Sequence, residues 1–266
     1  MYKLILFLAL CFSFSSKAQQ SWKQVWTAPI DSTAVWDVDQ AGNAYLVDKQ
    51  TISKLDTAGK QLLTQSTKSM GTIAKIDASN WMKIAIFSED QQRICYLDNA
   101  LAFQPGCIDL AEFGVNLAQH FSTSAQTDRI WIYDQLNSEL QLITIRNSQR
   151  QIVQNLASLV DLGTVLQLIE FQNKLYLFDN RGQVITLDNF GSFLSAQTVA
   201  GTHIQPFATG FLASDKQFIR FSDEETELLT PFFELVSGEE IKWFCFVGKR
   251  LFVSTATQLI SFELIG

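Results

Sequence analysis

Residues 37 to 60 read DVDQAGNAYLVDKQTISKLDTAGK: short runs in which apolar and polar residues alternate, divided by turn residues. Alternation of period two marks half-buried strands, and the Gly-Asn and Ala-Gly pairs mark turns between them. The second strand of this stretch, 44–48, ends its apolar run on an acidic stop at Asp48. The same shape returns at 83–88, 129–134, 174–179, 210–215 and 250–255, with polar stops at Ser88, Asp134, Asp179, Asp215 and Thr255. Successive stops are 40, 46, 45, 36 and 40 residues apart. That spacing is the length of one four-stranded propeller blade.

A turn and an alternating third strand follow each copy, at 51–56, 93–98, 139–144, 183–188, 217–222 and 258–263. None of the four prolines interrupts these second and third strands. The sixth unit has a first, second and third strand and lacks a fourth, whereas 20–27 is a strand-like segment ahead of the first unit. An orphan strand at one end and a missing strand at the other are what ring closure requires, and closure removes an exposed sheet edge. The pattern therefore predicts an all-β fold, a six-bladed β-propeller closed by an N-terminal strand that completes the last blade.

The first unit carries Asp37-Val38-Asp39, Gly42-Asn43-Ala44-Tyr45, Asp48 and then Leu55-Asp56-x-x-Gly59. It resembles an NHL-type blade, and the fourth unit resembles one in part through Tyr176, Asp179-Asn180-Arg181-Gly182 and Leu187-Asp188. The resemblance implies an architecture, a six-bladed ring of the broad NHL/TolB-like group, similar to small exported propellers of Bacteroidota. Some such propellers attach to outer-membrane assemblies, which bears on the expected partner.

The first residues change the picture of where the ring works. One early lysine, an apolar run from Leu4 to Phe14 and the small-x-small triplet Ser16-Lys17-Ala18 are the parts of a cleaved secretory leader. That apolar run is too short to span a bilayer, which needs roughly 20 residues. The expected organisation is a signal peptide over 1–18 and a single propeller domain over 19–266, exported to the periplasm or held against the outer membrane. No transmembrane segment is expected after cleavage. A lipoprotein signal on Cys11 is the rival, disfavoured by bulky Leu10 before it.

The formal net charge is −7, and removing Lys3 and Lys17 leaves 18 basic against 27 acidic side chains, about −9. A chain this acidic has no general attraction for phosphate backbones, so nucleic acid is excluded as a partner class. Three cysteines follow the leader, and Cys95 and Cys107 flank a hairpin turn over 99–103. In an oxidising compartment a disulfide between them is expected, with two buried free thiols as the alternative. Cys245, set among Trp243, Phe244 and Phe246, reads as an inert core thiol.

Propellers place ligands where the inner strands converge on the central channel. The polar groups expected there are Asp37 and Asp39 in the first unit, then Asp77, His120, Glu170, His203 and Lys242. Of these, Asp37, Asp77, His120, Glu170 and His203 are the channel-mouth candidates. Two histidines with acids suit a divalent cation or acid–base work, but a lone strand histidine is more often a hydrogen-bonded structural residue. No Gly-x-Ser-x-Gly, phosphate loop or His-Glu-x-x-His occurs. No catalytic residue, metal or cofactor is therefore assigned. The acidic turn 222–227, with Glu224 and Glu225, and the pair Phe232 and Phe233 are candidate partner contacts. The expected function is a non-enzymatic envelope scaffold, a monomeric ring or a subunit of a larger complex, that contacts a protein partner. The alternatives are a lactonase-like periplasmic hydrolase and a sensor binding a small molecule or glycan at the channel mouth.

Overall fold

The computed structural model describes residues 21–115, 117–156, 160–223, 226 and 228–265. The leader expected over 1–18 and the acidic pair Glu224 and Glu225 lie outside these residues. Six four-stranded antiparallel sheets are arranged as blades. Their inner strands are Val35–Val38, Lys75–Asp77, Ala118–Thr123, Val165–Phe171, His203–Phe207 and Trp243–Val247. Helix among the described residues is confined to short 3-10 turns, such as Lys68–Met70 and Leu110–Phe113. None is long and apolar enough to cross a membrane.

The tight turns between strands have a local cause, shared by one of the polar stops, Asp179, and by four other aspartates at strand ends. Asp39, Asp56, Asp98, Asp179 and Asp188 each accept, on Oδ1, the backbone N–H groups two and four residues ahead, at 2.8–2.9 Å. A carboxylate that mimics the missing turn of backbone in this way fixes a tight hairpin. In each, the residue three positions on takes positive φ; it is glycine in four of the five and Leu101 (φ 63°) in the other. At Gly59 (φ 79°) an added Cβ would also lie 2.6 Å from Cγ of Trp26, so glycine is required twice over.

The core is divided among the seams between blades. Six buried clusters correspond to the six seams, for example Tyr45, Val47 and Ile52 against Ile76, Ile84 and Ile86 between blades 1 and 2. Strands in the middle of a blade are covered on both faces and read as nearly unbroken apolar runs, as in the fully buried Ile84–Ser88. Outer strands such as Gln61–Ser66 and Phe193–Thr198 are exposed along most of their length. Burying a phenylalanine such as Phe87 against Phe121, ring centroids 5.8 Å apart, contributes about 2–3 kcal/mol.

Ser21–Pro29 pairs with Gln258–Ile265 from Ser21 opposite Ile265 to Pro29 opposite Gln258. The N-terminal strand thus completes blade 6, as the strand count implies. Trp26 packs on Phe252, and Trp22 meets the rings of Phe232, Phe233 and Phe246. The Trp22 indole N–H donates to the Phe232 carbonyl at 3.1 Å. Phe232 and Phe233 therefore belong to the core between blades 5 and 6, both under 10% exposed, and neither is an available contact ring. A strand bulge beside them lets both turn inward, which simple alternation does not anticipate. Cys95 and Cys107 are disulfide-bonded. The bridge sits where the outer strand of blade 2 shrinks to Ile108–Asp109, and it fastens the chain where ladder hydrogen bonds are few.

Candidate functional site

An inner strand pairs with its blade on one side and turns the other edge toward the channel, leaving backbone groups that need partners. Here the neighbouring blade supplies them through side chains. Asp37 accepts the Ala78 N–H at 2.7 Å, tying blade 1 to blade 2. Asp77 accepts both the N–H (3.1 Å) and the hydroxyl (2.7 Å) of Thr123 in blade 3. Ser122 accepts the Glu170 N–H from blade 4 at 2.9 Å. Gln167 closes a two-bond clasp on Ile204 of blade 5, and Gln205 closes one on Phe246 of blade 6. The last seam is apolar at the hub, with Trp243, Cys245 and Val247 packed toward Trp36 and Val38. There Arg250 reaches from blade 6 to the Thr57 carbonyl of blade 1.

These bonds place Asp37, Asp77, Ser122, Ile169, Gln205 and Cys245 at one level of the hub. Lys75, His120, Gln167, His203 and Trp243 lie two residues earlier. Four of the five sequence candidates, Asp37, Asp77, His120 and His203, fall on these two levels of the inner strands. Glu170 is turned away: its carboxylate accepts the Ala125 N–H at 2.8 Å and the Trp131 indole N–H at 2.6 Å, facing back into blade 3. Asp39 is buried in its own turn, bonded to Asn43 and to the Tyr45 hydroxyl. Lys242 is exposed, paired with Glu240. Among the described residues no three His, Cys, Asp or Glu side chains are grouped to hold a metal.

Lys75 is the residue that the sequence reading passed over. Its ammonium donates to the Phe121 carbonyl of blade 3 and, at 3.3 Å, to the Leu168 carbonyl of blade 4, and lies 4.9 Å from the Phe121 ring centroid. It spans three blades and bolts the hub. A lysine two residues before Asp77 on a short inner strand was its one signal. Burial holds its pKa below the usual lysine value, against the pull of Asp77 and Asp37.

The histidines are neutral. His120 Nε2 lies 2.8 Å from the Val165 carbonyl, which can only accept, so the proton is on Nε2. Burial, with Lys75 adding to it, pushes its pKa down to about 4. His203 packs against Trp243 and Phe244, and burial holds it well below the ordinary range. Asp37 moves the other way, up to about 7, through burial and then the nearby Asp77 carboxylate. Cys245 is half-buried rather than fully enclosed, and burial raises its thiol pKa.

A pH prediction follows with opposed signs. Between about pH 4 and 7 the folded chain keeps a proton on Asp37 that the unfolded chain has lost, so this carboxyl makes stability fall as pH rises. The histidines stay neutral when folded and ionise when unfolded, so their contribution is lost as pH falls below about 6.5. In Asp37→Asn the first slope disappears. The variant is expected to gain on wild type between pH 4 and 7, by at most about 4 kcal/mol and less for a side chain keeping solvent contact. Urea unfolding at stepped pH measures this, and a difference that stays flat would refute the assignment.

No family model matches the chain, and no curated protein is similar to it in sequence. Solved structures are similar in shape. Virginiamycin B lyase from Staphylococcus aureus aligns over 92% of this chain and 100% of its own, with a TM-score of 0.61 and 9% identity. A structural-genomics protein of unknown function from Bacteroides thetaiotaomicron aligns over 93% of this chain and 76% of its own, with a TM-score of 0.63 and 8% identity. At such identities the likeness is one of fold, and the fold is a six-bladed β-propeller.

Proposed function

We propose that this protein is a non-enzymatic binding ring of the cell envelope that docks a protein partner. Its place is the periplasm or the inner side of the outer membrane. One observation carries the reading: Asp37, Lys75, Asp77, His120, Gln167 and Gln205 of the inner strands are engaged on the backbone of adjacent blades. A hub built this way holds a rigid ring and leaves its faces and outer strands for contact. The leader-like first 18 residues support export.

A second reading has its own support. Asp37, with a pKa near 7, stands near Asp77 and Lys75, and a carboxyl tuned to that range suits general acid chemistry in a periplasmic hydrolase.

The two separate in one experiment. A tagged copy is recovered from mildly detergent-solubilised envelopes of the source organism, the co-purifying proteins are identified by mass spectrometry, and the complex is rebuilt from purified parts. A stoichiometric envelope partner, retained by Asp37→Asn, is the expected result. Recovery of nothing above background, or hydrolytic turnover of a lactone panel abolished by Asp37→Asn, would overturn the scaffold reading.

A further inference from the structure

Each blade ends in an outer strand that has no neighbouring strand on its far side among the described residues. Such an edge is a row of backbone donors and acceptors ready to pair with another chain, and folded proteins guard it with charge, proline or brevity. Four of the six edges carry a guard. In blade 2 the outer strand is only Ile108–Asp109. In blade 3 it carries Arg150, in blade 5 Pro231 and Glu234, and in blade 6 the closing strand carries Lys23 and Pro29. The edges of blades 1 and 4, Gln61–Ser66 and Phe193–Thr198, hold neither charge nor proline.

Blade 4 is the more open of these two. Lys60 stands just before the blade 1 edge, whereas no Asp, Glu, Lys or Arg occurs in 189–214. Large apolar side chains face water there: Phe190, in the turn ahead of the strand, is 68% exposed, Phe193 42% and Leu194 49%. The turn is fixed from two sides. Asp188 accepts the Phe190 and Ser192 N–H groups at 2.9 and 2.8 Å, and an added Cβ at Gly191 would run into Val153 of blade 3. Past a bulge at Leu194 the strand is regular, Ser195 to Thr198 lying opposite Thr186 to Gln183. Edge and apolar side chains are thus held in place before anything docks.

A free strand edge selects an extended chain as its ligand, because only that spacing matches its donors and acceptors. A second copy of the ring fits poorly. Two rigid rings meeting along one such edge, about 20 Å long, touch over far less than the roughly 1,200–2,000 Å² that stable interfaces bury. Each would also bring a net charge of −7 to the contact. A flexible segment of another protein can pair along the edge and continue over the neighbouring surface, and the same charge favours one without acidic residues.

We infer that Phe193–Thr198 is a docking edge for an extended, non-acidic segment of a protein partner, which joins blade 4 as a fifth strand and sets an apolar side chain against Phe193 and Leu194. The inference rests on the reading of the ring as a partner-binding scaffold, and names the edge and the kind of segment it takes.

The test uses the mature chain and three fluorescein-labelled probes: the peptide KTVTFTVTK, the same peptide N-methylated at every residue between its lysines, and ETVTFTVTE. Polarisation reads binding, and amide hydrogen exchange locates it. KTVTFTVTK is expected to bind and to slow exchange within 193–198. N-methylation removes backbone donors and keeps the side chains, and should weaken binding about tenfold or more. The double variant Phe193→Ser, Leu194→Ser changes two exposed side chains, and should weaken binding about tenfold with the urea midpoint unchanged. Leu62→Ser with Leu63→Ser, on the blade 1 edge, should leave binding as it was. Absence of protection in 193–198, equal binding of the N-methylated probe, or preference for ETVTFTVTE overturns the inference. So do concentration-dependent dimers in sedimentation that the Phe193→Ser, Leu194→Ser variant dissolves, since a second copy would then own the edge. The probes report on the ring alone, so failure of this inference shows in these titrations and failure of the scaffold reading in the recovery from envelopes.

Discussion

Replacing Asp39 with alanine is expected to lower the unfolding free energy by about 4 kcal/mol, enough to consume much of a typical domain's 5–15 kcal/mol. Asp39 is fully buried and accepts from the Ala41 and Asn43 N–H groups, the Asn43 amide and the Tyr45 hydroxyl, all at 2.8–2.9 Å. Hydrogen bonds to a charged acceptor contribute about 1.5–3 kcal/mol each, and the truncation orphans several donors at once. Asp56 makes the same turn near the surface with two backbone bonds, at 2.8 and 2.9 Å, and solvent is at hand to replace its carboxylate. Asp56→Ala should therefore cost only about 1 kcal/mol. Urea denaturation of the two variants side by side decides the matter: equal midpoints would mean that burial adds nothing to this turn.

The second large effect concerns ring closure. A chain that lacks Ser21–Pro29 loses the whole ladder to Gln258–Ile265 and the burial of Trp26, and uncovers the long edge of blade 6. The truncated protein is expected to lose its cooperative urea transition and to elute as soluble aggregates. Supplying the nine-residue peptide SWKQVWTAP in trans should restore a monomeric peak and the transition. A truncated chain that unfolds at the wild-type midpoint would show that the closing strand is dispensable.

The rhythm of the blades was legible because its causes are local. Asp39, Asp56 and Asp179 act on the N–H groups two and four residues ahead, and so announce their turns within a few positions. The hub was only half legible because its bonds join residues in different blades. Asp37 and Asp77 could be listed as inner-strand acids, but their engagement with Ala78 and Thr123, 41 and 46 positions away, leaves no pattern to read. Glu170 was misplaced by strand parity: it follows Ile169 in the hub and so faces the opposite side, onto Trp131. Lys75 was missed for a related reason. A lysine reads as solvated, and it is the carbonyls of two other blades, with the Asp77 and Asp37 carboxylates nearby, that make its burial tolerable. Phe232 and Phe233 were half read, since a bulge next to them breaks the alternation that would have exposed one ring.

The pairing of Ser21 with Ile265 also sets a clock. The two residues stand 244 positions apart, so the first strand to be made waits for the last before it can pair. At about 5–20 residues per second, that wait is on the order of tens of seconds. Throughout it, Trp22 and Trp26 lack the strand and rings that cover them, and the nascent chain stays open to chaperones. Closure of the ring is thus tied to the synthesis of Gln258–Ile265, an order of events written into the position of a single strand.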